Sequence, residues 1–324
     1  MTQNIETLHL DTVIAEHTQD MTGRTAAITG TTSGTGYVCA RELAKRGATV
    51  LLLNRASPRA EASLAKLQAE VPGGVFDAIE CDLQSLASVR VAIGQIQAKY
   101  EKLDVLCNNA GVMALKDAAT EDGYDVQMQT NCISHFLLTR DLMPLLEKSD
   151  DARIVNHSSG ARLGPPLEPK YFGKNGGDLG GDGTDAENAS FRGPRWMRYH
   201  QTKLANAVFT YGLQAKLEKA GLTQVKALLA HPGLARTNLQ TTTAETGGMD
   251  ADGEFMQQAQ SPEDGALGII RGCMDPEAVS GNFYGPKGWT GFPELLPPED
   301  LLLDPQNIEV NWAGCEAAVG SFTI

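Results

Sequence analysis

Tyr199 and Lys203 stand four residues apart in Tyr199-His200-Gln201-Thr202-Lys203. That spacing puts a phenol and an ammonium on one face of the helix predicted from Arg198 to Leu217. A free phenol, with a pKa of about 10, is a poor proton donor or base at neutral pH, and a neighbouring cation favours its phenolate form. The pair is therefore a candidate for general acid or base work on a hydroxyl or carbonyl. Upstream, Arg153-Ile154-Val155-Asn156-His157 reads as a buried strand running out into Ser158 and Ser159, either of which could bond a substrate oxygen.

A second group of residues fits a phosphate-bearing ligand. Thr29-Gly30-Thr31-Thr32-Ser33-Gly34-Thr35-Gly36 joins a strand directly to a helix. Glycine there permits a tight turn and lets the backbone approach a pyrophosphate, whose charge the helix N-terminus favours. Where an acid would accept hydrogen bonds from the ribose hydroxyls of NAD, the second strand ends in Asn54-Arg55. An arginine suits a 2′-phosphate, so NADP(H) is expected in preference to NAD(H). Cys81-Asp82-Leu83 ends the third strand, beside the expected adenine, and Asn108-Asn109-Ala110-Gly111 ends the fourth at the sheet's ligand-binding carboxyl edge. His231-Pro232-Gly233-Leu234-Ala235-Arg236-Thr237 follows the sixth with a Pro-Gly turn and a threonine within reach of a cofactor.

The elements that must position these groups alternate from Thr25 onward, short β-branched or Leu-rich runs with longer amphipathic stretches. Strands are expected at 25–29, 48–54, 75–80, 104–108, 153–157, 225–230 and 282–285. That is an α/β, doubly wound, mostly parallel seven-stranded sheet in a single domain, a Rossmann fold. Between strands, 36–47 has helical spacing and ends in Gly47, and 85–100 opens on Ser85 as N-cap. Residues 1–21 read as an N-terminal extension and 22–285 as the dinucleotide-binding domain. An irregular glycine-rich insertion is expected at 164–194. Residues 286–324 read as a tail without regular periodicity, near the substrate pocket.

With 27 Lys and Arg against 40 Asp and Glu, the net charge of -13 repels phosphate backbones and anionic lipid, so nucleic acid is not an expected partner. Six widely spaced cysteines without a CxxC pair read as buried thiols of a reducing compartment. The first twenty residues carry four acids and no Lys or Arg, unlike a targeting peptide. No apolar run approaches the roughly 18 to 20 residues of a membrane span. A cytoplasmic protein is expected. The six histidines form no HExxH or paired Cys/His spacing, so no metal site is expected, and no GxSxG elbow marks a hydrolase.

Taken in order, TGTTSGTG, CDL, NNAG, Asn131 in QTNCISHFLL, the serine strand, YHQTK and HPGLART resemble the short-chain dehydrogenase/reductase family over about residues 22–285. NNAGVMA, QTNCISHFLLT and TKLAN are most similar to its retinol-dehydrogenase-like and protochlorophyllide-reductase-like branch. The resemblance implies that Tyr199 is the general acid or base and that Lys203 holds the nicotinamide ribose and lowers the tyrosine pKa. It implies that Asn131 anchors a water linking Lys203 to solvent, that Ser159 rather than Ser158 steadies the substrate oxygen, and that Thr237 contacts the nicotinamide carboxamide. The implied reaction passes hydride between the nicotinamide and a carbonyl compound or alcohol, as in a carbonyl reductase, and a homo-oligomer is compatible with it.

The interval from Ser159 to Tyr199 is 40 residues, longer than the common family pattern. Its glycines and its tether between catalytic positions suggest a lid that orders over substrate. Similar length is found in light-dependent protochlorophyllide reductases, but the interval holds no cysteine and NNAG replaces their usual NNAA. A catalytically silent dinucleotide-binding regulator is the other alternative, and it would be expected to have lost one of Asn131, Ser159, Tyr199 or Lys203. Leu163, Phe172, Trp196, Met197, Phe255, Trp289 and Phe292 suggest a sizeable apolar carbonyl compound or alcohol.

Overall fold

The computed structural model describes residues 5–174 and 176–324; the first four residues of the N-terminal extension and Asn175 of the insertion lie outside the described residues. The strands are β1 Thr25–Thr29, β2 Thr49–Asn54, β3 Val75–Glu80, β4 Val105–Asn108, β5 Ala152–His157, β6 Val225–Ala230, β7 Phe283–Gly285 and β8 Glu294–Leu295. They form one sheet in the order β3-β2-β1-β4-β5-β6-β7-β8, parallel except for β8 against β7. All seven expected strands are present. The eighth corrects the seven-strand expectation, and at two residues it is too short to show a period.

Side-chain alternation along the strands divides the core between the two faces. Ala26 and Ile28 of β1 face one side with Val50 and Leu52, while Ala27 and Leu51 face the other. The flanking helices are α1 Leu10–Glu16, α2 Gly34–Lys45, α3 Pro58–Glu70, α4 Leu86–Lys99, α5 Ser134–Leu146, α6 Pro194–Ala220, α7 Asn238–Glu245, α8 Leu267–Met274 and α9 Pro305–Val319. Helices α2 and α8 cover the first face, and α4, α5, α6 and α9 the second. Helix α6 begins four residues before the expected start because Pro194 occupies its first turn, and it stops at Gly221 in the left-handed conformation (φ 74°).

Two expectations about irregular segments change. The tail contains α9, capped by Asp304, whose side chain accepts from the Gln306 N–H at 2.9 Å. The buried positions of α9, Asn307, Asn311, Trp312, Cys315 and Val319, do recur at helical spacing, but two of them are asparagines, which hid the apolar stripe. Trp312 stacks on Phe322 with centroids 5.3 Å apart and meets Phe136 edge-on. The insertion, for its part, sends Leu167, Tyr171 and Phe172 into the core. All six cysteines are free and buried; Cys39, Cys107 and Cys273 place their sulfurs within 4.8 Å of one another among apolar side chains. Among the described residues no helix is long and apolar enough to cross a membrane.

Candidate active site

Strand order reverses about β1, so β2 and β4 lie on either side of it and a crevice opens at its carboxyl end. The glycine-rich turn fills that place. Gly30 has φ 72° and would drive a Cβ to 2.8 Å from the Ala110 Cβ; a Cβ on Gly36 would meet both the Asn109 side-chain nitrogen and the Gly30 carbonyl at 2.3 Å. Only glycine lets the turn lie this close to Asn109-Ala110-Gly111. Ser33 caps α2 in extended conformation without a side-chain hydrogen bond, leaving the first-turn N–H groups available to an anion.

The turn is part of a cleft of about 1250 Å³. Gly30, Thr32, Ser33, Gly34, Thr35, Arg55, Asp82, Leu83, Asn109, Ala110 and Gly111 line one end, and Ser159, Tyr199, Lys203, Pro232, Gly233 and Thr237 continue it. Gly36 and Asn131 lie just behind the wall. Asn54 turns inward, accepting from Thr31 N at 2.8 Å and donating to the Thr31 hydroxyl at 2.8 Å, so it braces the turn. Arg55 stands next to it with no ion pair among the described residues. Arg59, in the first turn of α3, lines the same end and was missed in the sequence; its place just after Ser57-Pro58, an N-cap and first-turn proline directly following the second strand, is the signal that could have found it.

Behind the β4 exit, Thr29 and His135 form a brace that sequence reasoning also missed. The Thr29 hydroxyl accepts from Asn109 N at 3.0 Å and Ala110 N at 2.9 Å, and contacts His135 Nε2 at 2.9 Å. His135 Nδ1 must donate to the Asn131 carbonyl, 2.9 Å away, so Nε2 is the acceptor for Thr29. Burial, with Lys203 adding to it, lowers the His135 pKa to about 4 and keeps the ring neutral. The Asn131 carbonyl faces this ring from a π-helical turn, Gln129–Ile133.

The Asn131 side chain accepts from Val112 N and donates to Val112 O, both at 2.8 Å, and donates to the Thr202 hydroxyl at 2.9 Å. Gly111 separates it from Lys203: a Cβ there would lie 3.3 Å from Asn131 Oδ1 and 3.4 Å from Lys203 Nζ. The serine doublet divides its labour. Ser158 donates to the Lys203 carbonyl at 2.6 Å and ties β5 to α6, whereas the Ser159 hydroxyl accepts from Ala161 N at 3.2 Å and stands beside the Tyr199 phenol.

Burial dominates the electrostatics. It raises the Tyr199 pKa to about 12, opposed only by the Ser159 hydrogen bond, and lowers that of Lys203 to about 8. Lys203 Nζ lies 5.9 Å from the Tyr199 ring centroid and donates to the His157 carbonyl at 2.9 Å. The expectation that the lysine lowers the tyrosine pKa is therefore not met in the protein alone, where burial governs both shifts and Lys203 is not among the causes of the tyrosine's. His157 donates through Nδ1 to Asn109 Oδ1 at 3.0 Å, and both ring nitrogens of His200 face carbonyls, of Ala161 and of Pro165.

At the substrate end, Leu163, Trp196, Met197, Phe255 and Trp289 line the cleft as expected, joined by Phe191. Phe172 and Phe292 do not. Phe172 packs beneath Gly314 of α9, and Phe292 contacts His9 and His17. Among the described residues of the insertion region, only Leu163–Pro165 and Phe191–Gly193 reach the cleft. Its middle is fastened elsewhere: Asp117 accepts from Leu179 N at 2.8 Å and Gly181 N at 2.7 Å, and Arg198 donates to the Gly181 carbonyl at 2.7 Å. Arg195 adds a bond to the Asp182 carbonyl at 3.0 Å.

Residues 24–171 match the family model described as short chain dehydrogenase. Human retinol dehydrogenase 14 is 38% identical over 235 residues, which are 68% of this chain and 64% of that protein. The chloroplastic short-chain dehydrogenase TIC 32 A of Brassica napus is 36% identical over 228 residues, 69% of this chain and 67% of that one. The chain spans 60 to 64% of the length of human retinol dehydrogenases 13 and 14. A crystal structure of a Mycobacterium paratuberculosis protein shares the fold with a TM-score of 0.72 and 32% identity, over 96% of this chain and 98% of that one. A short-chain dehydrogenase of Shigella flexneri, solved in complex with NADP, superposes with a TM-score of 0.59 at 22% identity, over 81% of this chain and 95% of that one. With its glycine turn, serine strand and tyrosine-lysine helix meeting at one sheet edge, the chain belongs to the short-chain dehydrogenase/reductase family.

Proposed function

We propose that this protein is an NADP(H)-dependent oxidoreductase that interconverts an apolar carbonyl compound and its alcohol, with Tyr199 as the general acid or base. The observation that carries the reading is the meeting of Tyr199 with the Ser159 hydroxyl and the Lys203 ammonium in the same cleft that the glycine turn and Arg55 line. The residues present fit a dinucleotide. A cradle that any Cβ on Gly36 would fill, the uncapped first turn of α2, and Arg55 with Arg59 would hold the pyrophosphate and 2′-phosphate. The Shigella relative's bound NADP agrees with this assignment.

When bound, the nicotinamide supplies or accepts a hydride. Lys203 would hold the adjoining ribose and Thr237 the carboxamide. Ser159 bonds the substrate oxygen, and Tyr199, kept neutral by burial, gives its proton to that oxygen as the carbon is reduced. The nearby ammonium favours the phenolate so formed. Asn131 holds Val112 and Thr202 in place.

The test is nicotinamide fluorescence on mixing the protein with NADPH or NADH, followed by a panel of ketones and aldehydes read at the cofactor's absorbance. NADPH binding with turnover of apolar carbonyls is expected. Tight NADPH binding with no turnover across the panel would instead identify a silent dinucleotide-binding protein.

A further inference from the structure

We propose that Phe191 is a specificity-determining residue, its ring completing an aromatic arc over the substrate end of the cleft that selects carbonyl compounds with a flat, unsaturated body over saturated ones of the same skeleton. This rests on the oxidoreductase reading above. The arc runs from the candidate catalytic residue outward. Tyr199 meets Trp196 edge-on with centroids 5.9 Å apart, Trp196 meets Phe191 at 5.0 Å and 89°, Phe191 meets Phe255 at 5.0 Å and 55°, and Phe255 meets Trp289 at 5.2 Å and 86°. All five rings line the cleft.

Phe191 touches the ring on either side of it in the arc, Trp196 of α6 and Phe255. Trp196, on α6, is held by its indole N–H, which donates to the Gly248 carbonyl at 2.9 Å, and Phe255 belongs to a short 3-10 turn, Glu254–Gln258, packed against the same cluster. The backbone at Phe191 is left-handed (φ 57°), a conformation that glycine adopts freely and a bulky residue does not. Its side chain is 37% exposed, so it is no part of the closed core. A strained phenylalanine at a partly open position, touching the rings of Trp196 and Phe255, is accounted for by what its ring does at the mouth. The edges and faces of such rings favour another π system over an alkyl one by the small margin typical of aromatic pairs, about two- to tenfold in affinity.

The experiment compares 2-naphthaldehyde with its fully saturated decahydro counterpart, in the wild type and in Phe191→Gly and Phe191→Leu. The glycine variant removes the ring while suiting the backbone; the leucine variant keeps apolar bulk without the π face. The wild type is expected to prefer the flat aldehyde about two- to tenfold in kcat/KM, and both variants to bring the ratio near one, mainly through KM. NADPH affinity, read by nicotinamide fluorescence, should stay within about twofold. An unchanged ratio in both variants would overturn the proposal. If the wild type turns over neither aldehyde, quenching of tryptophan emission by the two compounds decides on Phe191, while the ketone and aldehyde panel above decides separately on the oxidoreductase reading. Equal discrimination by the wild type and Phe191→Gly would overturn its role there too.

Discussion

Lys203 Nζ donates to the main-chain carbonyl of His157 at 2.9 Å, fastening the last residue of β5 to the helix turn that follows Tyr199. The ammonium is thus held in place before any ligand arrives, at the expense of its hydration. Burial lowers its pKa from 10.5 to about 8, so it is charged below that pH and neutral above it. Tyr199, raised to about 12, keeps its proton throughout this range. Carbonyl reduction is therefore expected to fall on a basic limb near pH 8 that belongs to Lys203. Lys203→Arg should move the limb upward, because a guanidinium stays charged. A limb that stays in place would belong to another group. The same depression means that the folded protein binds fewer protons than the unfolded chain between about pH 8 and 10.5, so the penalty of burying Lys203 shrinks as pH rises through that window.

Tyr199→Phe removes the hydroxyl and leaves the ring against Trp196. Turnover should drop by about 10² to 10⁴ while NADPH binding stays nearly intact. Steady-state kinetics beside a fluorescence titration separates the two. Near-normal turnover would exclude Tyr199 as the acid.

Arg55→Ala and Arg59→Ala each remove a cation from the same end of the cleft. Both positions are open to solvent, so each is expected to raise the KM for NADPH by about tenfold, well short of the effect of a buried pair, and to change that for NADH little. Equal effects on the two cofactors would remove the 2′-phosphate assignment.

Gly36→Ala puts a methyl group 2.3 Å from both the Asn109 side chain and the Gly30 carbonyl. The Gly30 contact is backbone and cannot swing aside, so the turn must open. NADPH binding should be lost or severely weakened, with a measurable fall in Tm.

Arg198 is fully buried between Asp117 and Asp125, 3.4 Å from each, and also holds the Gly181 carbonyl. Burial already raises the Asp125 pKa to about 6, and Arg198 opposes that rise. Arg198→Met leaves two buried carboxyls without their cation and should destabilise the fold by about 3 to 5 kcal/mol in urea denaturation. Protease cutting within 176–190 should rise with it. A variant as stable as the wild type, with an uncut insertion, would show that the segment is held by other contacts.

Most of the sheet and the order of the site residues could be read from the sequence because they rest on short-range rules. TAAIT, VFDAIE and VKALLA are strands at the expected limits, each a short segment rich in apolar or β-branched residues whose pairing to parallel neighbours needs no special geometry. Ser85 and Gly47 punctuate helices where capping chemistry says they should. Tyr199 and Lys203 share a helix face because four residues make about one turn. Tertiary structure decided what depends on partners distant in the chain. His135 became the brace for Asn109 only because β1 brings Thr29 between them, 106 residues away in sequence. Phe172 entered the core and Phe191 the cleft although both belong to the same glycine-rich excursion, since Arg195, Arg198 and Asp117 fix where that chain runs. The pKa values of Tyr199 and Lys203 moved apart because enclosure by packed elements, which no local spacing encodes, sets the desolvation of each group.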